Sequence, residues 1–324
     1  MIEMVAQSEA MREVLRLAER VAATDANVLV TGESGTGKEA LAVFMHARSP
    51  RAAGEFLKID CAALPSELLE AELFGYERGA FTGASAAKPG RLEAAHKGTL
   101  VLDEIAHLST DAQAKLLRVI ERREFERLGG RRTIHVDARL IALTNVDLET
   151  AVKRRAFRED LFYRLNVVRI HLPPLRERRE DIKALAGRFL EAYASKHARR
   201  AKGFAPDALA ALDVYEFPGN VRELAHLVER AVIISDGERI TAEDLPAAVK
   251  TSAKLRARRG ARPTLAELEA EYIVETLTAT RGNKSEAARL LGISRKNLYE
   301  KLARYKTDVR GQTLDDGKES DTDI

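Results

Sequence analysis

Seven residues, Gly32-Glu33-Ser34-Gly35-Thr36-Gly37-Lys38, set glycine, four residues and Gly-Lys between an apolar run at 27–31 and a helical segment that opens at Lys38. In that setting the pattern holds the phosphates of a nucleotide. Glycines let backbone N–H groups close around phosphate oxygens, and the helix N-terminus adds partial positive charge. Lys38 would reach the outer phosphates. Glu39 follows it, where the general pattern carries Ser or Thr. The usual hydroxyl ligand for Mg2+ is therefore missing, and the ion must rely on other groups. Asp103 and Glu104 end a second apolar run, 65 residues after Lys38. The first carboxylate can hold the hydration shell of Mg2+. The second can orient a water for attack on the terminal phosphate. Capping of a following helix is the plainer use of such a pair. Asn145, after a third run, is placed to contact the terminal phosphate or that water, or simply to turn the chain.

Three arginines extend this chemistry. Arg158 and Arg164 lie six residues apart, so they do not share one helix face and would serve different tasks. An arginine presented to developing phosphate charge accelerates transfer strongly. Supplied by a neighbouring subunit, it would make activity depend on an oligomer. Surface salt bridges are the simpler use of both. Arg222 opens a helix after Pro218-Gly219-Asn220 and could couple the nucleotide to a domain movement.

Such groups need a scaffold, and the hydrophobic pattern supplies one. Short apolar runs at 27–31, 56–60, 99–103, 138–144 and 167–172 read as buried strands. Helical spacing falls at 10–22, 38–47, 65–74 and 111–122. The alternation predicts an α/β fold, a mostly parallel sheet with helices on both faces, over 1–172. After Pro173-Pro174 only helices are expected, at 180–194, 206–212 and 221–234, giving an all-α module over 173–249. Residues 250–263 are basic, closed by Gly and Pro, and read as a linker. A compact helical unit follows at 264–306, then a polar, acidic tail over 307–324 that reads as disordered.

Charge is uneven. The chain has 53 Lys and Arg against 50 Asp and Glu, but residues 251–310 hold 14 against 7. A basic end suggests a polyanion partner, with a solvated surface as the plainer alternative. Within it, 280–302 reads as a helix-turn-helix. Ala287, Ala288 and Leu291 are spaced to pack, Gly292 permits the turn, Ile293 buries, and Ser294 caps the next helix. Leu298 and Leu302 would face inward and Arg295, Lys296, Asn297, Lys301 and Arg304 outward. First-turn residues of a recognition helix point at base edges, which assigns Arg295, Lys296 and Asn297 to sequence readout. Lys284, Lys301 and Arg304 suit phosphates, with Ser294 and Tyr299 on the same DNA-binding surface. An apolar stripe, Leu265, Leu268, Tyr272, Ile273 and Leu277, would dimerise this unit or pack within it.

Composition narrows the remainder. With 45% apolar and 32% charged residues, an ordinary globular chain is expected. No apolar run approaches the roughly 18 residues of a membrane span, and no signal peptide is visible. The single cysteine, Cys61, excludes an internal disulfide framework and a cysteine zinc site. A cytoplasmic location is expected.

Together these motifs resemble the sigma-54-dependent transcriptional activators, the AAA+ ATPases also called bacterial enhancer-binding proteins, over about residues 1–306. Residues 32–39 resemble the family's phosphate loop, including Glu39, and Asp103-Glu104 its second nucleotide motif. Asn145 falls in its first sensor, Arg158 and Arg164 at its arginine-finger positions, and Arg222 at its second sensor. Gly79-Ala80-Phe81-Thr82-Gly83-Ala84 resembles the mobile loop that contacts the sigma factor. Its two glycines permit backbone swings, Phe81 has no place in a core pattern, and Thr82 can hydrogen-bond. The basic end resembles the family's Fis-type helix-turn-helix. The resemblance implies an AAA+ P-loop sheet, a helical lid and a DNA-binding domain. It implies ATP and Mg2+ as ligands and a homo-oligomer, dimer to hexamer, on double-stranded enhancer DNA. Hydrolysis would convert the closed complex of sigma-54 RNA polymerase holoenzyme to the open one. No sensing domain precedes the ATPase segment, which implies either a separate regulatory protein or a truncated chain.

Three positions depart from the family. Asp60 stands where the family has Asn, thought to hold the catalytic Glu. An ionised carboxylate cannot donate a hydrogen bond to Glu104, so regulation at that contact is expected to differ, unless Asp60 instead points at a basic neighbour such as Lys58. Phe217 replaces the usual Trp and is read as packing. Glu300 stands where a basic residue is common. Two rival functions share these motifs: a DNA-binding regulator that uses ATP only to assemble, and an ATPase acting on other protein clients.

Overall fold

The computed structural model describes residues 4–251, 265–280 and 282–308. They fall into two compact units that divide near residue 253. In the first, the elements run α1 (Glu9–Ala22), β1 (Val28–Thr31), α2 (Lys38–Ala47), β2 (Phe56–Asp60), α3 (Ser66–Phe74), β3 (Gly75–Tyr76), β4 (Lys88–Pro89) and α4 (Arg91–Ala94). Next come β5 (Thr99–Asp103), α5 (Thr110–Arg122), β6 (Glu124–Glu126), β7 (Thr133–His135), β8 (Arg139–Thr144), α6 (Leu148–Lys153), α7 (Glu159–Leu165) and β9 (Val168–His171). The five expected strands form one sheet, in the order β2-β5-β8-β1-β9, parallel throughout.

The three central strands β5, β8 and β1 bury both faces, which is why they read as continuous apolar runs, whereas the edge strands β2 and β9 are only partly buried. Leu29, Leu100, Leu102 and Leu140 enter one core with Leu69, Leu73, Leu116 and Leu161. Val28, Val30, Val101 and Ile141 enter the other with Ala18, Leu41 and Met45. Arg139 is fully buried. Its guanidinium donates to Ala22 O at 3.0 Å and Val21 O at 2.9 Å, tying β8 to the last carbonyls of α1. Parallel register aligns the strand ends, Asp60 with Asp103 and Thr31 with Thr144. The functional groups that follow those strands therefore share one edge of the sheet, the edge where open α/β sheets take their ligands.

The helical module holds α8 (Glu180–Lys196), β10 (Gly203–Phe204), α9 (Pro206–Val214), α10 (Asn220–Ile234) and β11 (Arg239–Ile240). The expectation that it contains no strand is corrected: β10 and β11 pair in parallel over two residues, too few to leave a period in the sequence. Phe217 is fully buried in this core and meets Tyr215 edge-on at 5.0 Å, as its reading as packing requires.

The second unit is three helices, α11 (Leu265–Ala279), α12 (Lys284–Leu290) and α13 (Arg295–Asp308). Ile273, Ala287, Ala288 and Leu298 form its core, with Leu277, Leu291, Ile293 and Leu302 packed on it. Gly292 takes φ 66°, the left-handed turn glycine allows. Of the apolar stripe on α11, Ile273 is buried and Tyr272 is 60% exposed; the side chains of Leu265 and Leu268 lie outside the described residues. So do the expected linker beyond Thr251 and the acidic tail beyond Asp308. Among the described residues, no helix is long and apolar enough to cross a membrane.

Candidate nucleotide site, protruding loop and nucleic-acid surface

Between β1 and α2 the chain turns through Gly32, Gly35 and Gly37, with φ of 148°, 77° and 104°. At Gly35 a Cβ would stand 2.3 Å from Gly219 O. Gly35 O also accepts from Val221 N at 2.9 Å. The backbone opening α10 thus rests directly on the phosphate loop. Asn220 Nδ2 donates to Glu33 Oε2 and Ser34 O, both at 3.0 Å. Arg222 Nη1 donates to Ser34 Oγ at 2.9 Å. Arg176 clamps Glu33 with two hydrogen bonds of 2.6 and 2.9 Å, and Arg178 Nη2 donates to Thr36 O at 2.6 Å. The Thr36 hydroxyl is itself committed, donating to Glu33 O at 2.9 Å.

Lys38 is buried, with Nζ donating to Gly32 O at 2.8 Å and Glu33 O at 3.2 Å. It also lies 3.9 Å from Glu104 Oε1. Burial pulls its ammonium below the ordinary lysine range, while Glu104 and Asp103 oppose that fall. Glu104 sits at φ 52°, left-handed backbone that costs a non-glycine residue roughly 1–3 kcal/mol and tends to occur where side chains are aimed for function. Its Oε2 accepts from Asn145 N at 3.2 Å. The backbone of Asn145, not its amide side chain, makes that contact. Beside these groups lies a cleft of about 430 Å³. Ser34, Gly35, Gly37, Lys38, Glu39, Asp103 and Glu104 line its polar part, and Val43, Phe189, Val221 and Ala225 its apolar part. That division suits a phosphate chain at one end and an aromatic base at the other.

Asp60 makes no bond to Glu104, as its carboxylate requires, and none to Lys58. Its Oδ1 accepts from Ala62 N at 2.9 Å, a local turn that satisfies the carboxylate. Lys58 instead pairs with Glu39 and Asp103. Beneath them Cys61 is buried, and burial together with Asp60, Asp103 and Glu104 pushes its thiol up to about 12, so it is no nucleophile.

Arg158 and Arg164 fall outside the residues lining the cleft. Arg158 precedes the first turn of α7 and pairs with Asp160 at 2.7 Å. Arg164, in the last turn, pairs with Glu121 at 3.0 Å. No helical period marks α7 in the sequence. Within α7 Tyr163 is 65% exposed, and just after it Val167 is 61% exposed.

The segment 79–84 is a compact loop on the two-residue ribbon β3–β4, exposed at Gly79 and Phe81–Gly83 but buried at Ala84, which therefore anchors the loop and offers no contact surface. Gly79 N donates to Ala84 O at 2.8 Å. Gly79 and Gly83 take φ of 83° and 106°, with nothing within 4 Å of where a Cβ would stand. Conformation rather than space demands glycine there. Phe81 is exposed, its ring edge-on to Tyr76 at 5.0 Å. Ala80 packs against Gly129, where an added Cβ would stand 2.9 Å from Ala80 Cβ. The loop therefore stands on the β6–β7 turn.

In the helical unit, Ser294 Oγ accepts from Asn297 N at 3.2 Å, the expected cap. Arg295, Lys296, Asn297, Tyr299 and Arg304 are exposed. The Lys284 ammonium lies over the Tyr299 ring at 5.1 Å. The outward placement of Lys301 is corrected: it is half-buried and pairs with Glu269 of α11 at 2.7 Å. Three residues past the inward Leu298, it lies near the helix's packed face.

Comparison with known proteins fits these arrangements to families. The Sigma-54 interaction domain matches residues 4–171, the AAA+ ATPase lid domain 176–261, and the Fis-family bacterial regulatory protein domain 264–305. Regulatory protein AtoC of Escherichia coli (strain K12) is 46% identical over 309 residues, covering 93% of this chain and 67% of AtoC. Transcriptional regulatory protein ZraR of Klebsiella oxytoca is 49% identical over 303 residues, covering 93% of this chain and 68% of ZraR. The chain belongs to the sigma-54-dependent transcriptional activators. Crystal structures of NtrX from Brucella abortus share its architecture. The one in complex with ATP has a TM-score of 0.72 at 37% identity, covering 94% of this chain and 70% of NtrX. The activator is thus an AAA+ ATPase with a helical lid and a Fis-type helix-turn-helix.

In this activator sequence reasoning found the loop, the carboxylate pair and Arg222, but missed Lys58, Arg176, Arg178, Phe189 and Asn220. Those five become visible only once the helical module folds back on the phosphate loop or β2 lies beside β5. The Arg176 clamp has a measurable signature. Its hydrogen bonds hold the Glu33 carboxyl at about 2, well below 4.5. A depressed carboxyl contributes stability that is full above its unfolded value and lost as pH falls through its folded value. Arg176→Ala is therefore expected to lower Tm at pH 7, and the gap to wild type to close as pH drops from about 4.5 towards about 2. Thermal melts across that window check it; a gap constant with pH would show that Arg176 acts through packing alone.

Proposed function

We propose that the activator works as a ring that hydrolyses ATP and uses the 79–84 loop to remodel the closed complex of sigma-54 RNA polymerase holoenzyme. The observation that carries this is an aromatic residue, Phe81, 41% exposed at the tip of a glycine-hinged loop, on a domain whose cleft is built for a nucleotide. Lys38 and the phosphate-loop amides bind and orient the phosphates, and Arg222 brings the lid onto them. Glu104 takes the proton of the attacking water. The donor set fits Mg2+: hard carboxylate oxygens at Asp103 and Glu104, with no group of three or more His, Cys, Asp or Glu converging on a metal among the described residues. Mg2+ is characteristically held by one or two carboxylates plus substrate phosphates, and Asp103 would hold it, directly or through water. Bound there, the ion neutralises phosphate charge.

Arg158 and Arg164 do not line their own chain's cleft. They act on a neighbour's nucleotide, and exposed Tyr163 and Val167 mark the surface that meets that neighbour. The helix-turn-helix holds the assembly on enhancer DNA, with Arg295, Lys296 and Asn297 at the bases and Lys284 and Arg304 at phosphates. In vitro transcription from a sigma-54 promoter with an upstream site tests this. Transcripts are expected with ATP and not with a non-hydrolysable analogue. Arg295→Ala should need about tenfold more protein, the worth of one base contact. Equal output with both nucleotides would leave ATP a role in assembly only.

A further inference from the structure

Glu39 occupies the position where a hydroxyl usually meets the metal, yet its carboxylate already holds a cation. Lys58, in the middle of β2, places Nζ 2.6 Å from Glu39 Oε2 and 2.9 Å from Asp103 Oδ2. One ammonium thus joins the first turn of α2 to the last residue of β5, the two elements that carry the phosphate loop and the carboxylate pair. Without that ammonium, two carboxylates that share a cation would face each other unpaired, an arrangement that favours a divalent ion.

We propose that Lys58 is a positioning residue for the metal–nucleotide complex, a resident monocation that engages one oxygen each of Glu39 and Asp103 and competes there with Mg2+. This rests on the reading of Asp103 as the Mg2+ ligand. Two consequences oppose each other. A nucleotide without metal meets one more positive charge and binds better than it otherwise would. The metal meets a like charge and a partly occupied carboxylate, and adds less to nucleotide affinity. Removing the ammonium reverses both, so the ratio of affinities with and without Mg2+ must rise. One unit charge at a partly screened site shifts such a ratio by on the order of tenfold. Arginine at the same place keeps the charge and both hydrogen bonds.

The test is equilibrium binding of a fluorescent, non-hydrolysable ATP analogue to the full chain, in saturating Mg2+ and in excess EDTA. Lys58→Met is expected to raise the affinity ratio about tenfold over wild type, and Lys58→Arg to keep it within about twofold. Ligand-free melting curves establish that each variant is folded, and Lys58→Gln replaces the Met variant if that one is not. Equal weakening of both affinities would make Lys58 a structural strut and overturn the proposal. Wild type with no Mg2+ dependence at all would instead overturn the reading of Asp103, and the proposal with it.

Discussion

Glu104→Gln should bind ATP within a few-fold of wild type and turn it over about 10²–10⁴ times more slowly, the usual worth of a general base. The substitution is well matched to the geometry. Gln has nearly the same volume, so no cavity opens. Its amide oxygen can still accept from Asn145 N, the 3.2 Å bond that aims the side chain. The left-handed φ of 52° is as costly for Gln as for Glu. What disappears is the charge and the lone pair that takes a proton. Lys38, 3.9 Å away, loses one of the two carboxylates that offset its burial, a secondary effect that works on binding rather than on proton transfer. Phosphate release under saturating ATP, set beside analogue binding, separates the two. Turnover within about tenfold of wild type would remove Glu104 as the base and turn attention to a water held by Asp103.

The parts legible in the sequence are those with a local signature. The central strands β1, β5 and β8 are buried on both faces, so each stands out as an apolar run. The phosphate loop and the 79–84 loop are contiguous, and their glycines mark positive φ. The helix-turn-helix shows its packing in Ala287, Ala288, Leu291 and Leu298. What stayed hidden depends on chain brought from elsewhere. Asn220 bonds Glu33 across 187 residues and Arg176 across 143, and no spacing rule reaches that far. Lys58 reads as one polar residue in a strand until β2 lies beside β5 and α2. At Asp60 a turn two residues long satisfies the carboxylate, and no bond to Glu104 forms, as expected where Asp replaces Asn. Lys301 was misplaced for a subtler reason: a long side chain three residues from a buried leucine can face a neighbouring helix as readily as solvent.

Phe81→Ala should abolish open-complex formation, a loss of about 30-fold or more, while ATP hydrolysis stays within about twofold. Hot-spot aromatics at interfaces carry about 2–4 kcal/mol, whereas the intramolecular partner lost here, the edge of Tyr76 at 5.0 Å, is worth only about 0.5–1.5 kcal/mol. The fold can spare that ring and the interface cannot. Thr82, also exposed, should behave alike as Thr82→Ala and recover partly as Thr82→Ser, since only its hydroxyl is in question. The loop is tied to the chemistry by a short route. The turn after Glu104 leads to Ser109, whose hydroxyl donates to Glu70 Oε1 at 2.7 Å, and Lys115 of α5 holds the other oxygen of Glu70 at 2.8 Å. Glu70 lies on α3, which ends at Phe74, immediately before the ribbon that bears the loop. A shift at Glu104 therefore has a bonded path to Phe81 without passing through the sheet. Two assays on one preparation check the prediction: phosphate release alone, and promoter opening with sigma-54 holoenzyme. Loss of both together would put the loop inside the ATPase site. Loss of neither would leave the exposed ring without a partner, and the ring-driven remodelling reading would fall even with hydrolysis intact.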